Sequence, residues 1–224
     1  MSINIYVIRH GQTIFNLFHR VQGICDIDLT EDGIEGAKSA GKELSQIKFT
    51  SIYSSDLKRA YDTANYIIDE NKFNKLKIQQ KKVFRELNFG YWEGLDSSQV
   101  WHETAMPYNA HSLDDLITKY GLKKATDIVA ETDPFKKAEY FIDIRNRILK
   151  GLKLIWDDNK NENDCNVLLV THGVYIMHLL NYLNAMLDIR VPDNCSITSL
   201  IMHDIENIEV KFINKKFLQN KKEN

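Results

Sequence analysis

Residues 4–16, which read NIYVIRHGQTIFN, decide how the rest of the chain is interpreted. The first five of these residues are mostly β-branched or aromatic and predict a buried strand at residues 4–8. Arg9, His10 and Gly11 follow at once, where the chain leaves the predicted core. Because ligands of open α/β sheets bind beyond the carboxyl ends of the strands, these residues indicate a ligand site at the end of this strand.

Strand-like and helical patterns alternate along most of the chain. Short β-branched or aromatic runs predict further strands at residues 49–54, 77–84, 166–170, 196–203 and 208–214. Helical patterns predict helices at residues 30–44, 56–69 and 174–183, with Ser55 as the cap of the second. This alternation predicts an α/β fold with a mainly parallel sheet and helices on both faces. The last two strands predict an antiparallel edge near the C-terminus.

The length of 224 residues suits one domain, which we expect to span residues 1–214 and to be followed by a flexible polar tail at 215–224. Residues 95–140 contain no strand-like run and predict a helical cap inserted into that domain. A long helix is expected to begin at Asp133 and Pro134, a capping residue and a first-turn proline. Its buried face is predicted to carry Phe141, Ile144, Ile148, Leu152 and Ile155.

Composition and charge exclude several function classes. The 29 Lys and Arg residues nearly balance 31 Asp and Glu residues, which argues against a nucleic-acid partner. No apolar run approaches the ~20 residues of a membrane span and no leader pattern is seen, so a cytoplasmic protein without membrane contact is expected. The three cysteines are widely spaced and the seven histidines lack metal-ligand spacing, so neither a disulfide, a metal nor a cofactor is expected. The antiparallel edge strand makes a homodimer one expectation.

A second predicted strand ends as the first does, because residues 169–173 read LVTHG. Each strand therefore delivers a histidine followed by a glycine, His10 with Gly11 and His172 with Gly173. If the two strands are neighbours, the two histidines face one another across a pocket. Each glycine would let backbone amides approach a bound phosphate closely.

The residue types near these strand ends fit phosphate chemistry. Guanidinium groups of Arg9 and Arg59 can bind phosphoryl oxygens with paired hydrogen bonds, and a protonated His172 would add a third donor. The same positive charges lower the pKa of His10, which leaves a ring nitrogen free to attack phosphorus. Glu86 is the candidate general acid for the leaving alcohol, and it would then act as the base that activates water.

Five motifs occur in the order and approximate spacing of the histidine phosphatase superfamily, the phosphoglycerate mutase-like proteins. They read RHGQTIFN, QGICDIDLTEDG, YSSDLKRAYDTA, RELNFGYWEG and VTHG. The sequence resembles this family from Ile3 to about Leu180, with the cap as the main gap. It departs from the family pattern at Asp28, where proline is usual, and at Gly36, where glutamine is frequent. Both departures lie outside the expected chemistry.

The resemblance implies roles for individual residues of this chain. His10 would be the nucleophile that becomes phosphorylated, Arg9, Arg59 and His172 would form the phosphate pocket, and Glu86 would be the acid. Further phosphate or substrate contacts would come from Asn16, Gln22 and Gly23. The loop NFGYWEG resembles the phosphatase branch of the family rather than its mutases.

Three functions remain open from the sequence. The favoured one is a metal-independent phosphomonoesterase that hydrolyses small-molecule phosphate esters through a phosphohistidine. The alternatives are a 2,3-bisphosphoglycerate-dependent phosphoglycerate mutase and a non-catalytic phosphate-binding protein. A mutase holds a substrate with a second strong anion, yet residues 95–140 carry eight acids, five lysines and no arginine. Aromatic residues near the start of this segment predict a partly apolar outer pocket, unless they pack in the core: Tyr91, Trp92, Trp101 and Tyr108.

Overall fold

Six strands form one mixed sheet in the computed structural model, which describes residues 2–73, 76–185 and 190–216. The strands are β1 (Ile3–Arg9), β2 (Ser51–Ser54), β3 (Gln79–Gln80), β4 (Cys165–Thr171), β5 (Ile197–Met202) and β6 (Ile208–Lys215). The helices are α1 (Ile14–Leu17), α2 (Glu31–Glu43), α3 (Lys58–Asp69), α4 (Ser97–Ala105), α5 (Leu113–Thr132), α6 (Phe141–Asn159) and α7 (Gly173–Tyr182).

The sheet has the strand order β3-β2-β4-β1-β5-β6. The first four strands are parallel to their neighbours, whereas β5 and β6 run antiparallel at one edge. The predicted mainly parallel sheet with an antiparallel C-terminal edge is therefore confirmed. Since β1 pairs with β4 in a register that sets Arg9 opposite Thr171, the histidines that follow these two residues leave the sheet side by side.

Alternate residues of β1 face two separate hydrophobic clusters. Ile5 and Val7 pack in the larger cluster, together with buried residues of α5, α6 and α7. Ile8 packs in the other cluster, with buried residues of α2 and α3. Helices therefore cover both faces of the sheet, as the alternating sequence pattern predicts.

The helix expected to begin at Asp133 begins at Phe141 instead. Asp133 is the C-cap of α5, and its buried carboxylate accepts hydrogen bonds from the backbone amides of Phe135, Lys137 and Ala138. These bonds fold the intervening chain into a loop, so the proline that follows Asp133 opens no helix. The predicted buried face is correct for its four aliphatic residues, and Phe141 is half-buried. The buried ones are Ile144, Ile148, Leu152 and Ile155.

Two other predicted elements have different bounds. The strand predicted at residues 77–84 is reduced to β3, which is followed by a 3₁₀ turn at Lys82–Phe84. Helix α3 begins at Lys58, and the predicted cap Ser55 does not cap it. The carboxylate of Asp26, from a distant loop, accepts the backbone amides of Lys58 and Arg59 in its place. A cap supplied by another part of the chain leaves no local sequence signal.

The segment predicted as a helical cap contains α4, a 3₁₀ turn at Met106–Tyr108, and α5, which is kinked at Gly121.

The structure moves the predicted boundary between the domain and the polar tail. Lys215 is the last residue of β6 rather than the first of a tail, and residues 217–224 lie outside the described part of the chain. Among the residues that the structure describes, none of the helices has the length and apolar character needed to cross a bilayer.

Candidate active site

The neighbouring ends of β1 and β4 bring His10 and His172 together. Their ring centroids lie 5.1 Å apart, and the His10 amide donates to the carbonyl of Thr171 at 2.9 Å. Both side chains are removed from solvent, with 3% of His10 and none of His172 exposed. The structure thus places the two histidines across one buried site.

The hydrogen bonds of His10 define which of its nitrogens is free. Nδ1 lies 2.7 Å from the carbonyl oxygen of Gly11, which can only accept, so Nδ1 carries the hydrogen. Nε2 therefore bears the lone pair and accepts from Nε of Arg59 at 3.3 Å. Burial and the positive charges of Arg59 and Arg9 lower the pKa of His10 well below its usual value. The ring is a neutral base whose free nitrogen faces a guanidinium.

Arg59 is fully buried and is held by the loop that follows Gln22. Its Nη2 donates to the carbonyl of Gly23 at 2.6 Å, and its Nη1 donates to the carbonyl of Cys25 and to Asp26. Loop acceptors therefore occupy much of the fork predicted to bind phosphate, and the Nε edge is the part that faces His10. Burial lowers the pKa of Arg59, which the neighbouring Asp26 charge opposes.

Glu93 fastens this loop to the chain segment that carries Glu86. Its Oε1 accepts from the amides of Ile24 and Phe89, and its Oε2 accepts from the amide of Cys25. A Cβ at Gly23 would overlap the backbone carbonyl oxygen of Leu87 as well as Oε1 of Glu93, so only glycine fits between the two segments. Sequence reasoning missed this bracing role, although Glu93 lies within a recognised motif.

Arg9 lies against the first residue of α7. A Cβ at Gly173 would be 3.0 Å from Nε of Arg9, so glycine at this position lets the guanidinium pack closely on the helix. Nη1 of Arg9 donates to the carbonyl of Pro192 at 2.6 Å. Burial lowers the pKa of Arg9, and the charge of Glu86 partly offsets this effect.

Gly11 has a different role from the one its position suggests. Its amide donates to Oγ1 of Thr63 at 2.9 Å rather than pointing into the pocket. A Cβ on Gly11 would lie 2.5 Å from the carbonyl oxygen of Gly33, in α2. The close approach of the chain to α2 explains this glycine, and the Gly11 amide is bonded to Thr63 in the structure.

Glu86 is fixed at the N-terminus of α7, with 5% of its surface exposed. Oε1 accepts from the amides of Leu87 and Tyr175, and Oε2 accepts from the amide of Val174. Burial raises the pKa of Glu86, and although these amides oppose the shift, the net effect is upward. A raised pKa favours the protonated carboxyl that a general acid requires.

Arg147 and Glu139 brace the segment that carries Glu86, and sequence reasoning missed both. The Arg147 guanidinium forms a two-point ion pair with Glu139 at 2.7 and 2.8 Å and donates to the carbonyls of Val83, Arg85 and Glu86. Glu139 in turn accepts from the amide of Asn88 at 2.9 Å. The backbone on both sides of the acid is held by one ion pair.

A polar cluster borders His10 on the side of α1. Oε1 of Gln22 accepts from the hydroxyl of Thr13 at 2.8 Å, and Asn16 caps α1 together with Thr13. Asn194, which the sequence did not single out, donates from Nδ2 to the carbonyl of His10 and to Oδ1 of Asn16. The predicted contacts Asn16 and Gln22 thus lie in one hydrogen-bonded group around the nucleophile candidate.

Three buried nitrogen atoms of the predicted phosphate set have no hydrogen-bond partner within the described residues. They are Nε of Arg9, Nε2 of Gln22 and Nδ1 of His172. Buried polar atoms are normally paired, and phosphate oxygens would supply acceptors to groups of this kind. The other ring nitrogen of His172, Nε2, lies 2.7 Å from the hydroxyl of Ser55.

The four aromatic residues expected near an outer pocket differ in their surroundings. Trp92 is buried and donates from Nε1 to the carbonyl of Val129, while Trp101 and Tyr108 pack against the larger core cluster. Tyr91 is exposed and lines an open surface pocket of about 650 Å³ together with Phe135. Core packing therefore accounts for most of this aromatic signal. Among the described residues, no cluster of three or more His, Cys, Asp or Glu residues could hold a metal ion.

A neutral histidine, two arginines, a second histidine and a carboxyl of raised pKa at one sheet edge define a site of the phosphoryl-transfer class. The family model of the histidine phosphatase superfamily (branch 1) matches residues 5–215, and the chain belongs to this superfamily. The resemblance of the five motifs is confirmed by this match.

Similar proteins include both mutases and phosphatases. A phosphoglycerate mutase structure from Bacillus anthracis superposes with a TM-score of 0.88 at 32% identity, covering 95% of this chain and 93% of the other. A mycobacterial glucosyl-3-phosphoglycerate phosphatase superposes with a TM-score of 0.71 at 26% identity, covering 96% and 99%. A 2,3-bisphosphoglycerate-dependent phosphoglycerate mutase of Bacteroides fragilis is 28% identical over 202 residues, covering 82% of this chain and 79% of its own.

Proposed function

We propose that the protein is a phosphomonoesterase that hydrolyses small-molecule phosphate esters through a phosphohistidine at His10. The observation that carries this proposal is the neutral His10 ring, whose Nε2 lone pair faces Arg59 at 3.3 Å. Nε of Arg9, Nε2 of Gln22 and Nδ1 of His172 are buried and have no hydrogen-bond partner within the part of the chain that the structure describes. A phosphoryl group between these residues would receive hydrogen bonds on its oxygens and meet a nucleophile at phosphorus.

In the first step, the Nε2 lone pair of His10 forms the bond to phosphorus while the bond from phosphorus to the ester oxygen breaks. Protonated Glu86 gives its proton to that oxygen, so the alcohol leaves as a neutral molecule. Nε–H of Arg59 would turn from the ring nitrogen to a phosphoryl oxygen, because the lone pair is consumed. The carbonyl of Gly11 stays bonded to Nδ1–H and stabilises the positive charge that the ring acquires.

In the second step, water attacks the phosphohistidine. The Glu86 carboxylate removes a proton from this water as the oxygen bonds to phosphorus, and the bond from phosphorus to Nε2 breaks. Inorganic phosphate and the neutral His10 ring are released, and Glu86 is protonated again for the next turnover. A carboxyl with a raised pKa suits both directions of transfer.

The lack of arginine in the cap supports hydrolysis rather than isomerisation. Residues 95–140 contain no arginine, and the next two arginines along the chain are engaged elsewhere. Arg147 is bonded to Glu139, and Arg145 lies over the ring of Tyr182 at 5.2 Å. A second anionic group on the substrate would find few fixed partners here.

A phosphoglycerate mutase is the second candidate, because the mutase structure from B. anthracis superposes so well on this chain. The test follows free phosphate from a panel of simple alkyl monoesters and from 3-phosphoglycerate, with and without 2,3-bisphosphoglycerate. We expect phosphate release from several monoesters without primer, and its loss in His10→Ala. The exposed His203 gives a matched control, His203→Ala, which should retain full activity. Primer-dependent isomerisation with little phosphate release would establish the mutase instead, and phosphate binding without either reaction would indicate a binding protein.

A further inference from the structure

We propose that Ser55 is a positioning residue that fixes neutral His172 as the tautomer with its hydrogen on Nδ1. In that form His172 donates to the phosphate without carrying a charge. The donor role rests on the proposed phosphate site, whereas the tautomer itself is a property of the protein alone. Sequence reasoning assigned Ser55 to a helix cap and gave His172 a proton on both nitrogens.

The contact between the two side chains is short and isolated from water. Oγ of Ser55 lies 2.7 Å from Nε2 of His172, and both residues have no exposed surface. Burial, together with the charges of Arg59 and Arg9, lowers the pKa of His172 well below its usual value. The ring is therefore neutral, and only one of its two nitrogens holds a hydrogen.

The second bond of the Ser55 hydroxyl indicates which nitrogen this is. Oγ accepts a hydrogen bond from the backbone amide of Leu57 at 3.3 Å. The hydrogen of the hydroxyl itself still needs an acceptor. Nε2 of His172 is the acceptor within reach of that hydrogen, so the hydroxyl donates and Nε2 holds the lone pair. The opposite arrangement would leave the hydroxyl hydrogen of Ser55 without an acceptor among the described residues.

The consequence falls on Nδ1 of His172, which is buried and has no partner among the described residues. With Nε2 as acceptor, Nδ1 bears the hydrogen and can donate to a phosphoryl oxygen. The other tautomer would turn a lone pair toward the anion, which is repulsive in a buried site. Ser55 therefore decides whether this ring attracts or repels the ligand.

His178 lies in helix α7, six positions after His172, and provides a reference with the opposite arrangement. Its Nε2 also faces a hydroxyl, Oγ1 of Thr126, at 3.2 Å. That hydroxyl already donates to the carbonyl of Leu122 at 2.8 Å, so it can only accept from the ring. We expect His178 to carry its hydrogen on Nε2. The chain thus contains two buried histidines that should show opposite tautomers in one spectrum.

The experiment is ¹H–¹⁵N long-range correlation spectroscopy of the full-length protein labelled with ¹⁵N-histidine, which distinguishes the two neutral tautomers from the imidazolium. We expect the Nδ1–H form at His172 and the Nε2–H form at His178, assigned with His172→Gln and His178→Gln. Addition of inorganic phosphate should shift the Nδ1–H resonance of His172. An Nε2–H tautomer or an imidazolium at His172 would overturn the assignment, and a resonance that saturating phosphate leaves in place would overturn the donor role.

Variants at Ser55 test whether the hydroxyl is the cause. Ser55→Ala should lose the single Nδ1–H form of His172 and lower phosphate release from an alkyl monoester by roughly 10-fold. Ser55→Thr retains a hydroxyl and should restore both, which separates positioning from a loss of folding. Ser54→Ala is the matched control, because Ser54 is the adjacent buried serine and its Oγ has no partner among the described residues.

The experiments distinguish a failure of the proposed function from a failure of the positioning role of Ser55. If the wild type releases no phosphate but shows the expected tautomers and their dependence on Ser55, the proposed function is wrong and the positioning of His172 stands. If phosphate release is normal while Ser55→Ala keeps the Nδ1–H form, the positioning role of Ser55 is wrong and the proposed function stands.

Discussion

The two strand ends that carry His10 and His172 look alike in sequence and differ in chemistry. Both read as a hydrophobic strand followed by histidine and glycine, and the parallel register of β1 and β4 sets them side by side. His10 faces the carbonyl of Gly11 through Nδ1, whereas His172 faces the hydroxyl of Ser55 through Nε2. The first partner can only accept, and the second is free to donate.

In each ring, the group bonded to one nitrogen decides whether the other nitrogen holds a lone pair or a hydrogen. The bond to Gly11 leaves His10 with a lone pair at Nε2, next to Arg59. The bond to Ser55 leaves His172 with a hydrogen at Nδ1. One ring is thus suited to attack phosphorus and the other to bind its oxygens, although burial and the same arginines keep both neutral.

The largest expected effect is the loss of the nucleophile. His10→Ala should lower the rate of phosphate release by roughly 1,000-fold or more, because it removes the Nε2 lone pair that forms the covalent intermediate. Rapid acid-free quenching with a radiolabelled monoester should trap phosphate on the wild type at His10 and none on the variant. If His10→Ala keeps more than about one tenth of wild-type activity, His10 is not the nucleophile that distinguishes it from His172.

Removal of the acid should have a smaller and selective effect. Glu86→Gln should slow hydrolysis of an alkyl monoester by about 10²- to 10⁴-fold. The loss should be much smaller for the phosphorylation step with 4-nitrophenyl phosphate, whose leaving group needs little help from a proton. Burst kinetics separate that step from the attack of water.

The pH profile provides an independent check on Glu86. Because burial raises its pKa, the acid form persists to higher pH than for an ordinary glutamate, and the rate with alkyl esters should fall as pH rises through that raised value. This descending limb should be absent in Glu86→Gln. Equal losses with both substrates and an unchanged profile would remove Glu86 from the role of acid.

The fold and the central residues could be predicted because they depend on local pattern and on sheet topology. Strand ends of a parallel sheet meet at one edge, which is why residues as distant as His10 and His172 could be expected to lie together. Arg59 and Glu86 came from the same reasoning, supported by the family motifs. Hydrophobic periodicity likewise identified the buried face of α6, even though its first residue was misplaced.

What could not be predicted depends on partners from distant parts of the chain. Asp26 caps α3 from another loop, and the buried carboxylate of Asp133 folds a loop where local capping rules favour a helix start. The amide of Gly11 is taken by Thr63, which no pattern around the histidine reveals. Sequence reasoning gave Ser55 the local role of a cap. Its position beside His172 follows only from the parallel pairing of β2 with β4.

A moderate effect is expected from the ion pair behind Glu86. Arg147→Lys keeps a charge but loses the planar fork that bonds Glu139 and three backbone carbonyls, so we expect phosphate release to fall by about 10-fold. Glu139→Gln should lower phosphate release by a similar factor. The double variant should be little slower than either single variant, since both substitutions act on one contact. The measurement is kcat with an alkyl monoester, beside the thermal midpoint.

A matched control for this pair is Lys124→Gln, which removes one charge from the exposed ion pair with Glu131. Exposed pairs contribute little, so this variant should keep wild-type activity and stability. If Arg147→Lys and Glu139→Gln lower the thermal midpoint but leave kcat unchanged, the ion pair stabilises the fold without positioning the acid.

The smallest expected effect concerns His178, the buried histidine outside the site. Burial lowers its pKa to about 3, far below the value near 6.5 in an unfolded chain. The unfolded state therefore binds more protons between these two values, and the stability contributed by neutral His178 is lost as pH falls below about 6.5. From pH 7 to pH 6 this amounts to about 0.7 kcal/mol of unfolding free energy.

Urea denaturation at pH 7 and pH 6 measures this loss for the wild type and for His178→Gln, whose amide can still bond to Thr126. Other titrating groups, including His10 and His172, contribute equally to both proteins, so the difference between the two pH dependences isolates His178. The variant should lose less stability between the two pH values. An equal loss would mean that His178 takes up a proton in the folded protein as readily as in the unfolded chain. His178 would then no longer provide the spectrum of a neutral, Nε2-protonated ring with which His172 is compared.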